Sequence, residues 1–451
     1  MTETPVLTSP TQSTDDVLDP AVFAAALEQA DLPAWVRERK QAAWERFNTL
    51  PYPKVKDQPW RYASVRGLKL EGYRPALEPL ADAARARVLE ASKVLDKVSA
   101  TLVFADGQLL EQTPLPPELA AQGVIWEPIR VAMREHPEFL QRYFLAERTR
   151  LGSDKFEALH EAYFDAGSVL YVPKGVEIEE PFVVYHWAAS PQVALFPHTL
   201  IIAEDNAGVD LVDFYGCLDN HAPALACGVG DVHAGPRARV FRKVVQNWSR
   251  ETLSFQTDGI AADRDADVKT ISVNLGGRQA RFENQIRIVG AGAHVKMYGL
   301  TVADGEQEFD QRTLQIHEAP NAVSDLLYKN ALMDTAHTIF SGLIKVAKDA
   351  QQTDAYQTNR NLLLDSTAEA NSLPGLEIEA NDVKCSHGAT SGQLDPSEMF
   401  YLRSRGIPKR VAYELMVFGF FEEIVEKISY EPLREVLRAL VQAKFRTHSS
   451  S

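Results

Sequence analysis

The chain is poor in cysteine. Its 451 residues contain three: Cys217, Cys227 and Cys385. The number is odd and no Cys-x-x-Cys pair occurs, which argues against a disulfide framework and against a self-contained four-cysteine zinc or iron–sulfur site. A thiophilic metal handled here needs mixed ligands or ligands from a second chain. Long apolar runs are also missing; none approaches the ~18–20 residues of a membrane helix. Basic charge is in deficit, with 47 Lys and Arg against 62 Asp and Glu and a formal charge of −15. That balance disfavours a general binder of nucleic-acid backbone. The start of the chain is polar and acidic (Asp15, Asp16, Asp19) and suits neither a signal nor a transit peptide. The sequence reads as cytoplasmic, with no membrane or nucleic-acid partner.

Enzyme signatures are absent as well. There is no Gly-x-x-x-x-Gly-Lys-Ser/Thr loop, so no nucleotide is expected on this chain. Gly228-Val-Gly230 and Gly290-Ala-Gly292 lack the third glycine of a dinucleotide fingerprint. Neither Gly-x-Ser-x-Gly nor His-Glu-x-x-His occurs.

What is present divides into three zones. Residues 1–98 carry apolar residues at helical spacing over Val22–Leu27, Trp35–Leu50 and Ala81–Leu95. A proline-rich connector ending in Pro59-Trp60-Arg61-Tyr62 separates the last two. The first 16 or so residues, rich in Ser, Thr and Pro, are expected to be disordered. Residues 99–392 switch to short runs rich in Val, Ile and aromatics: Val169-Leu-Tyr-Val, Phe182-Val-Val-Tyr, Thr199-Leu-Ile-Ile, Val240 to Val245, Ile286-Arg-Ile-Val and Val295-Lys-Met-Tyr. Gly, Asn and Asp break these runs, so they read as strands. Residues 393–451 return to helix. Asp395-Pro396-Ser397-Glu398 supplies a cap, Gly406 a stop, Pro408 a second start and Glu431-Pro432 a third.

A repeat runs through the middle zone. A small residue closes a polar turn before each strand at Gly208, Ala238, Ala266, Ala293, Ala322, Ala350 and Ala370. The first five spacings cluster near thirty residues and the last is shorter. A steady period of strands and tight turns predicts a β-solenoid, with an irregular sandwich as the alternative. Solenoids often host polysaccharide chemistry, which needs paired carboxylates. The acids here, such as Asp263, Asp265 and Asp267, fall in turns, where Asp serves the backbone. Both helical ends are near neutral, and the 99–392 zone carries the whole charge excess.

The most informative stretch is Pro374 to Thr390. Val383, Cys385, His387 and Ala389 alternate with period two. On a strand, Cys385 and His387 share a face with Cα atoms roughly 6.5 Å apart. A thiolate and an imidazole at that distance can reach one metal, but two ligands make half a site. The alternative is a small buried thiol and a satisfied surface imidazole. A loop holding His221 separates Cys217 from Cys227 and admits a Cys/Cys/His cluster, though two buried structural thiols are the simpler reading. His186, His198, His233, His294, His317 and His337 stand singly and read as structural. On the last helices, Leu415, Phe418, Phe420, Phe421, Ile424, Val425 and Ile428 exceed one narrow stripe. Phe418, Phe421, Ile424 and Val425 are the expected contacts to a partner, with a buried middle helix as the alternative.

The run from Leu376 to Ile428, with NDVKCSHGATSG and DPSEMFYLRSRGIPKR, resembles the C-terminal signature of the SufB/SufD family of iron–sulfur cluster assembly scaffold proteins. The likeness extends over nearly the whole chain, most specifically over residues 321–428. It is similar to the SufD branch, because SufB-type chains tend to carry Glu after this histidine and here it is Gly388. The resemblance implies a mainly β fold: a right-handed parallel β-helix flanked by N-terminal and C-terminal helical domains. It implies a non-enzymatic subunit with a SufB-like paralogue and a SufC-like ATPase as partners, the ATPase docking on the C-terminal helices. Cys385 and His387 map to the SufB–SufD interface, where iron or a nascent iron–sulfur cluster is shared with the partner subunit. A homodimeric structural β-helix and a stand-alone carbohydrate-active β-helix are the rival readings.

Overall fold

The computed structural model describes residues 16–29, 32–76, 78–164 and 166–448. The expected disorder at the start falls on residues 1–15, outside the described residues. From Ala166 to Gln393 the chain winds as a parallel β-solenoid of about eight turns, each giving one strand to each of two facing sheets. The first sheet runs from Ala166–Val172 to Glu369–Ile378, and the second from Phe182–Ala188 to Lys384–Gln393. Strands pair residue for residue between successive turns, so each inward side chain sits in a column. One such column is Val209, Val240, Val268 and Val295, facing Ile201, Val232, Ile260 and Ile286 across the lumen.

The repeat marks a corner. Asn206, Arg237, Asp265, Gly292 and Asn321 all have φ between 57° and 74°. Each precedes a fully buried alanine: Ala207, Ala238, Ala266, Ala293 and Ala322. The left-handed residue turns the chain sharply, and only a small side chain fits inside the bend. Three expected corner positions are displaced. Ala350 lies two residues before the left-handed Gln352, and the buried Thr353 takes the place in line with Ala322. Gly208 opens its strand one residue beyond the corner, which Ala207 occupies. Ala370 lies within the strand Glu369–Ile378, paired with Thr338, so the short final spacing is no repeat. The opposite corner also needs small residues, and Ala336 and Ala368 fill it.

The zone expected to be wholly β contains four helices: Pro117–Ala121, Ile129–Glu135, Pro137–Tyr143 and Asp154–Tyr163. Leu119 of Pro117–Ala121 packs against the lumen cluster, while the last three join Pro20–Gln29 and Ala34–Thr49 on the outer face of the first sheet. There Trp44, Phe47, Phe156 and Leu159 pack with Val169, Leu200, Leu225 and Phe255. At the N-terminal end, Ala100–Ala105 pairs parallel with Phe182–Ala188 and folds back antiparallel as Gln108–Gln112, and Ile125–Pro128 pairs antiparallel with Ala166–Val172. Asp106 and Gly107 take positive φ in the hairpin's two-residue turn.

Of the three C-terminal helices, Lys409–Val425 and Glu431–His448 cover the outer face of the second sheet, and the exposed Pro396–Ser404 leads into them. Their ends follow the sequence signals: Asp395 Oδ1 accepts from Ser397 N at 2.8 Å, and Gly406 has φ +84°. Val417, Phe421, Ile424, Leu433, Leu437 and Val441 pack with Val245, Ile271, Val273 and Leu300. Two lysines tie the helices down. Lys329 Nζ donates to Phe420 O at 2.8 Å, and Lys444 Nζ to Val302 O at 2.9 Å and Asp304 at 2.8 Å. Among the described residues no helix is long and apolar enough to cross a membrane.

A buried ionic knot fastens the N-terminal zone to the solenoid. Trp60 Nε1 donates to Gly152 O at 3.0 Å, and the Arg281 guanidinium lies 4.0 Å from the Trp60 ring centre. Arg281 also donates to Pro59 O (2.9 Å) and Leu151 O (2.8 Å) and pairs with Glu283 (2.8 Å) and Asp310. All three charged side chains are at most 2% exposed. Removing one member strands the others in low dielectric, so Arg281→Ala is expected to cost about 3–5 kcal/mol. Arg264→Ala, at an exposed corner, should cost under about 0.5 kcal/mol. Chemical denaturation of both variants checks this; comparable losses would show that the knot contributes nothing special.

Candidate functional site

The two ends of the solenoid differ. All four terminal strands are sheet edges, but at the N-terminal end the antiparallel strands Gln108–Gln112 and Ile125–Pro128 come with Leu119 and Trp126 packed against the lumen cluster, whereas Glu369–Ile378 and Lys384–Gln393 end the solenoid as plain parallel edges. Their outer edges present unpaired backbone donors and acceptors, which soluble proteins ordinarily cover. Leu376 and Ile378 are 36% and 40% exposed beside that edge.

Cys385 and His387 lie on this last turn. Cys385 pairs in register with Ala355 and His387 with Gln357, both buried and lumen-facing. Both side chains therefore point along the inner face of a turn that has no further coil stacked on it. Cys385 is half-buried and packs with Ile344, Val346, Ala350, Ala355 and Ala380. His387 is exposed. Burial raises the Cys385 thiol above its ordinary value; a backbone hydrogen bond with Ala355 opposes this and the Asp354 carboxylate adds to it. The thiol is therefore protonated at neutral pH. A Cβ at Gly388 would meet open space, so no packing reason forbids a carboxylate there. The side chains on this face offer one sulfur, of Cys385, and one imidazole, of His387.

The other cysteines do not converge. Cys217 is half-buried, its thiol pushed up to about 12 by burial. Cys227 is buried under the helix Asp154–Tyr163, and His160 Nδ1 bonds its carbonyl at 2.8 Å. They belong to separate packing clusters, and His221 is exposed. The single histidines are mostly placed by packing. His198 Nδ1 meets His160 Nε2 at 3.0 Å and its Nε2 lies 3.2 Å from Asp231, all buried. Burial pushes His198 down to about 3 and Asp231 up to about 6. His233 contacts Tyr143 O at 3.1 Å, and His337 lies 3.4 Å from Glu308. His186 and His317 face the lumen, and His294 is exposed.

One cluster escaped the sequence reading. Glu127, Glu135 and His136 bring ligand atoms within 4.8 Å of one another. They meet because the strand Ile125–Pro128 runs straight into the helix Ile129–Glu135. Eight residues separate Glu127 from Glu135, with no motif to announce the contact.

The expected partner face needs correction. Phe421, Ile424 and Val425 are 1%, 0% and 5% exposed and are consumed within the chain. Phe418 is half-buried. The apolar surface left to solvent on these helices is Phe400, Tyr401 and Leu415, at 73%, 57% and 50% exposure. The helix Pro396–Ser404 has no buried residue. Composition showed the excess of apolar residues but not which of them the second sheet would claim.

Residues 186–420 match the family model described as "SUF system FeS cluster assembly, SufBD core domain", and residues 23–184 match "SufBD protein N-terminal region". The chain belongs to the SufBD family. This SufBD chain is 29% identical over 422 residues to the iron–sulfur cluster assembly protein SufD of Bacillus subtilis, covering 92% of this chain and 95% of that protein. It is 29% identical over 419 residues to an iron–sulfur cluster assembly SufBD family protein of Synechocystis, covering 90% of each. A SufBD family protein of Mycobacterium bovis is 31% identical over 299 residues, which is 64% of this chain and 74% of that one.

Thiol chemistry offers a direct check. Cys385 should be the first of the three cysteines alkylated in the native chain. Its rate should still climb above about pH 8.5, the ordinary thiol value. Mass-spectrometric mapping of iodoacetamide adducts reads this out; faster labelling of Cys217 or Cys227 would refute the placement.

Proposed function

We propose that this chain is a SufD-type, non-enzymatic subunit of a SUF iron–sulfur assembly complex. It lends Cys385 and His387 to a site that a SufB-type paralogue completes. The observation that carries this reading is the position of both side chains on the inner face of the one uncapped turn, beside two unpaired edge strands. A partner solenoid that pairs with those edges brings its own ligands to the same place. One thiolate and one imidazole suit iron and iron–sulfur species, which are cargo here rather than a resident cofactor. Arrival of the cation lowers the thiol's proton affinity and releases the thiolate that binds it.

A SufC-type ATPase docks on the C-terminal helices through Phe400, Tyr401 and Leu415. Because these helices are tied to the second sheet by Lys329 and Lys444, a pull on them is transmitted to the stacked strands rather than absorbed in a linker. Removing residues 408–451 would strip the cover from Val245, Ile271 and Leu300, so surface substitutions are the cleaner probe.

In the purified three-component complex, Cys385→Ala with His387→Ala should abolish cluster formation while leaving the complex assembled. Unchanged yield and rate of cluster absorbance would sink the site. Leu415→Asp with Phe400→Ser should lower ATPase capture at least tenfold in a pull-down without changing the melting temperature; full retention would move the docking face elsewhere. A homodimer is the rival occupant of the open end. Sedimentation of the isolated chain with iron distinguishes it: a stable, iron-binding dimer would displace the paralogue reading.

A further inference from the structure

Half of the solenoid's lumen is polar. Opposite the valine and isoleucine columns, a seam of hydrogen bonds crosses from one sheet to the other. Thr199 donates to Asp213 at 2.7 Å, and Arg242 bridges Asp213 and Asp258 at 2.8 Å each. Asn284 donates to Tyr328 at 3.0 Å, and Gln311 to Thr301 at 2.7 Å and Asn330 at 3.1 Å. Asn330 continues to Asn361 at 2.8 Å, and Asn361 to Ser391 on the last turn at 3.1 Å. Glycines clear the room. A Cβ on Gly230 would stand 2.3 Å from Arg242 Nη1, one on Gly299 2.7 Å from the Tyr328 ring, and one on Gly342 2.4 Å from the Gln357 amide.

The seam is under-satisfied by protein. Tyr215 Oη, Arg242 Nη2, Thr313 Oγ1, Gln315 Oε1, His317 Nδ1 and Gln357 Oε1 have no protein hydrogen-bond partner. Their residues are at most 2% exposed. One such atom costs about 1–3 kcal/mol, and six of them would rival the whole stability of a domain, about 5–15 kcal/mol. Native interiors resolve this with buried water. At the N-terminal end of the seam, the unpartnered His186 Nε2 borders a cavity of about 10 Å³, roughly one water probe in size.

We propose that the lumen is a water-binding compartment: a file of ordered waters runs along the polar seam from His186 to the last turn. Its final site is Gln357 Oε1, directly behind His387 in the stacked column. If Cys385 and His387 serve the shared site proposed above, this water gives the imidazole a hydrogen-bond partner from inside the fold even when a partner chain covers its outer side. His387 is then oriented from within, and Gln357 is a positioning residue.

A high-resolution crystal structure of the full chain is the direct test. Ordered waters are expected within hydrogen-bond distance of the six named atoms. Side chains re-paired with one another, or a dry lumen, would overturn the proposal. Gln357→Leu provides the second reading. It should remove the water behind His387, leave those at Tyr215 and His317, and shift the His387 imidazole nitrogen resonances measured by NMR at fixed pH. A Gln357→Leu chain with an unshifted imidazole would overturn the link to His387. Loss of cluster formation in the Cys385/His387 variants is a separate readout, so a dry lumen with a working site and a wet lumen with an idle site are distinguishable.

Discussion

Stacking of parallel turns in strict register is the constraint on which everything else rests. Within the stack each inward side chain has a neighbour above and below, about 4.7–4.9 Å away in the pairing direction, as neighbouring strands generally are, and only the terminal turns lack one of the two. A slip of one residue would turn every inward column outward. The corners hold the register. A left-handed residue followed by a buried alanine occurs at Asn206-Ala207, Arg237-Ala238, Asp265-Ala266, Gly292-Ala293 and Asn321-Ala322. These alanines stack on one another from turn to turn, and the buried Thr353 continues the column beyond Ala322.

This architecture makes the two ends unequal and the two outer faces hungry. Antiparallel strands finish the N-terminal end, and nothing equivalent finishes the other among the described residues. The flanking helices are spent on the faces instead. Most of the N-terminal helices cover the first sheet, while the helix Asp82–Ala91 and the C-terminal helices cover the second. The uncovered end is therefore the place where the solenoid can meet another chain, and it is where Cys385 and His387 stand. Small separate pieces, such as the Trp60–Arg281 knot and the Lys444 tie, fix these covers by burying charge with its partners already in place.

Charge in this protein divides by depth. The corner acids Asp265, Glu306 and Asp349 are exposed and account for part of the negative surplus of the middle zone. Inside, Asp213 and Asp258 share the guanidinium of Arg242, and burial still raises Asp213 against that pairing. An acid raised in the folded state favours folding most at low pH, and that contribution fades as pH rises through its folded value. Asp231, held at about 6, behaves the same way between its ordinary value and about pH 6.

Much of this was legible in one dimension. Helical spacing located Pro20–Gln29, Ala34–Thr49 and the last three helices, and Asp395 and Gly406 act as the caps they resemble. Period-two alternation put Cys385 and His387 on one face, because a strand's geometry is local. The helices of residues 117–163 were missed, since they are short and lie between runs of strand-like composition. The burial of Phe421, Ile424 and Val425, the separation of Cys217 from Cys227, and the meeting of Glu127 with His136 depend on which surfaces pack together. So does the polar seam: alternation reveals that Thr199, Asp213, Arg242 and Asp258 share a phase with apolar neighbours, but only stacked turns turn that phase into an enclosed lumen. The sequence by itself determined the repeat, the corners at Ala238, Ala266, Ala293 and Ala322, and the shared face of Cys385 and His387, because each is set by neighbours within a few residues. The tertiary structure decided which end stays open and which apolar residues remain for a partner, because both follow from contacts between turns and helices far apart in the chain.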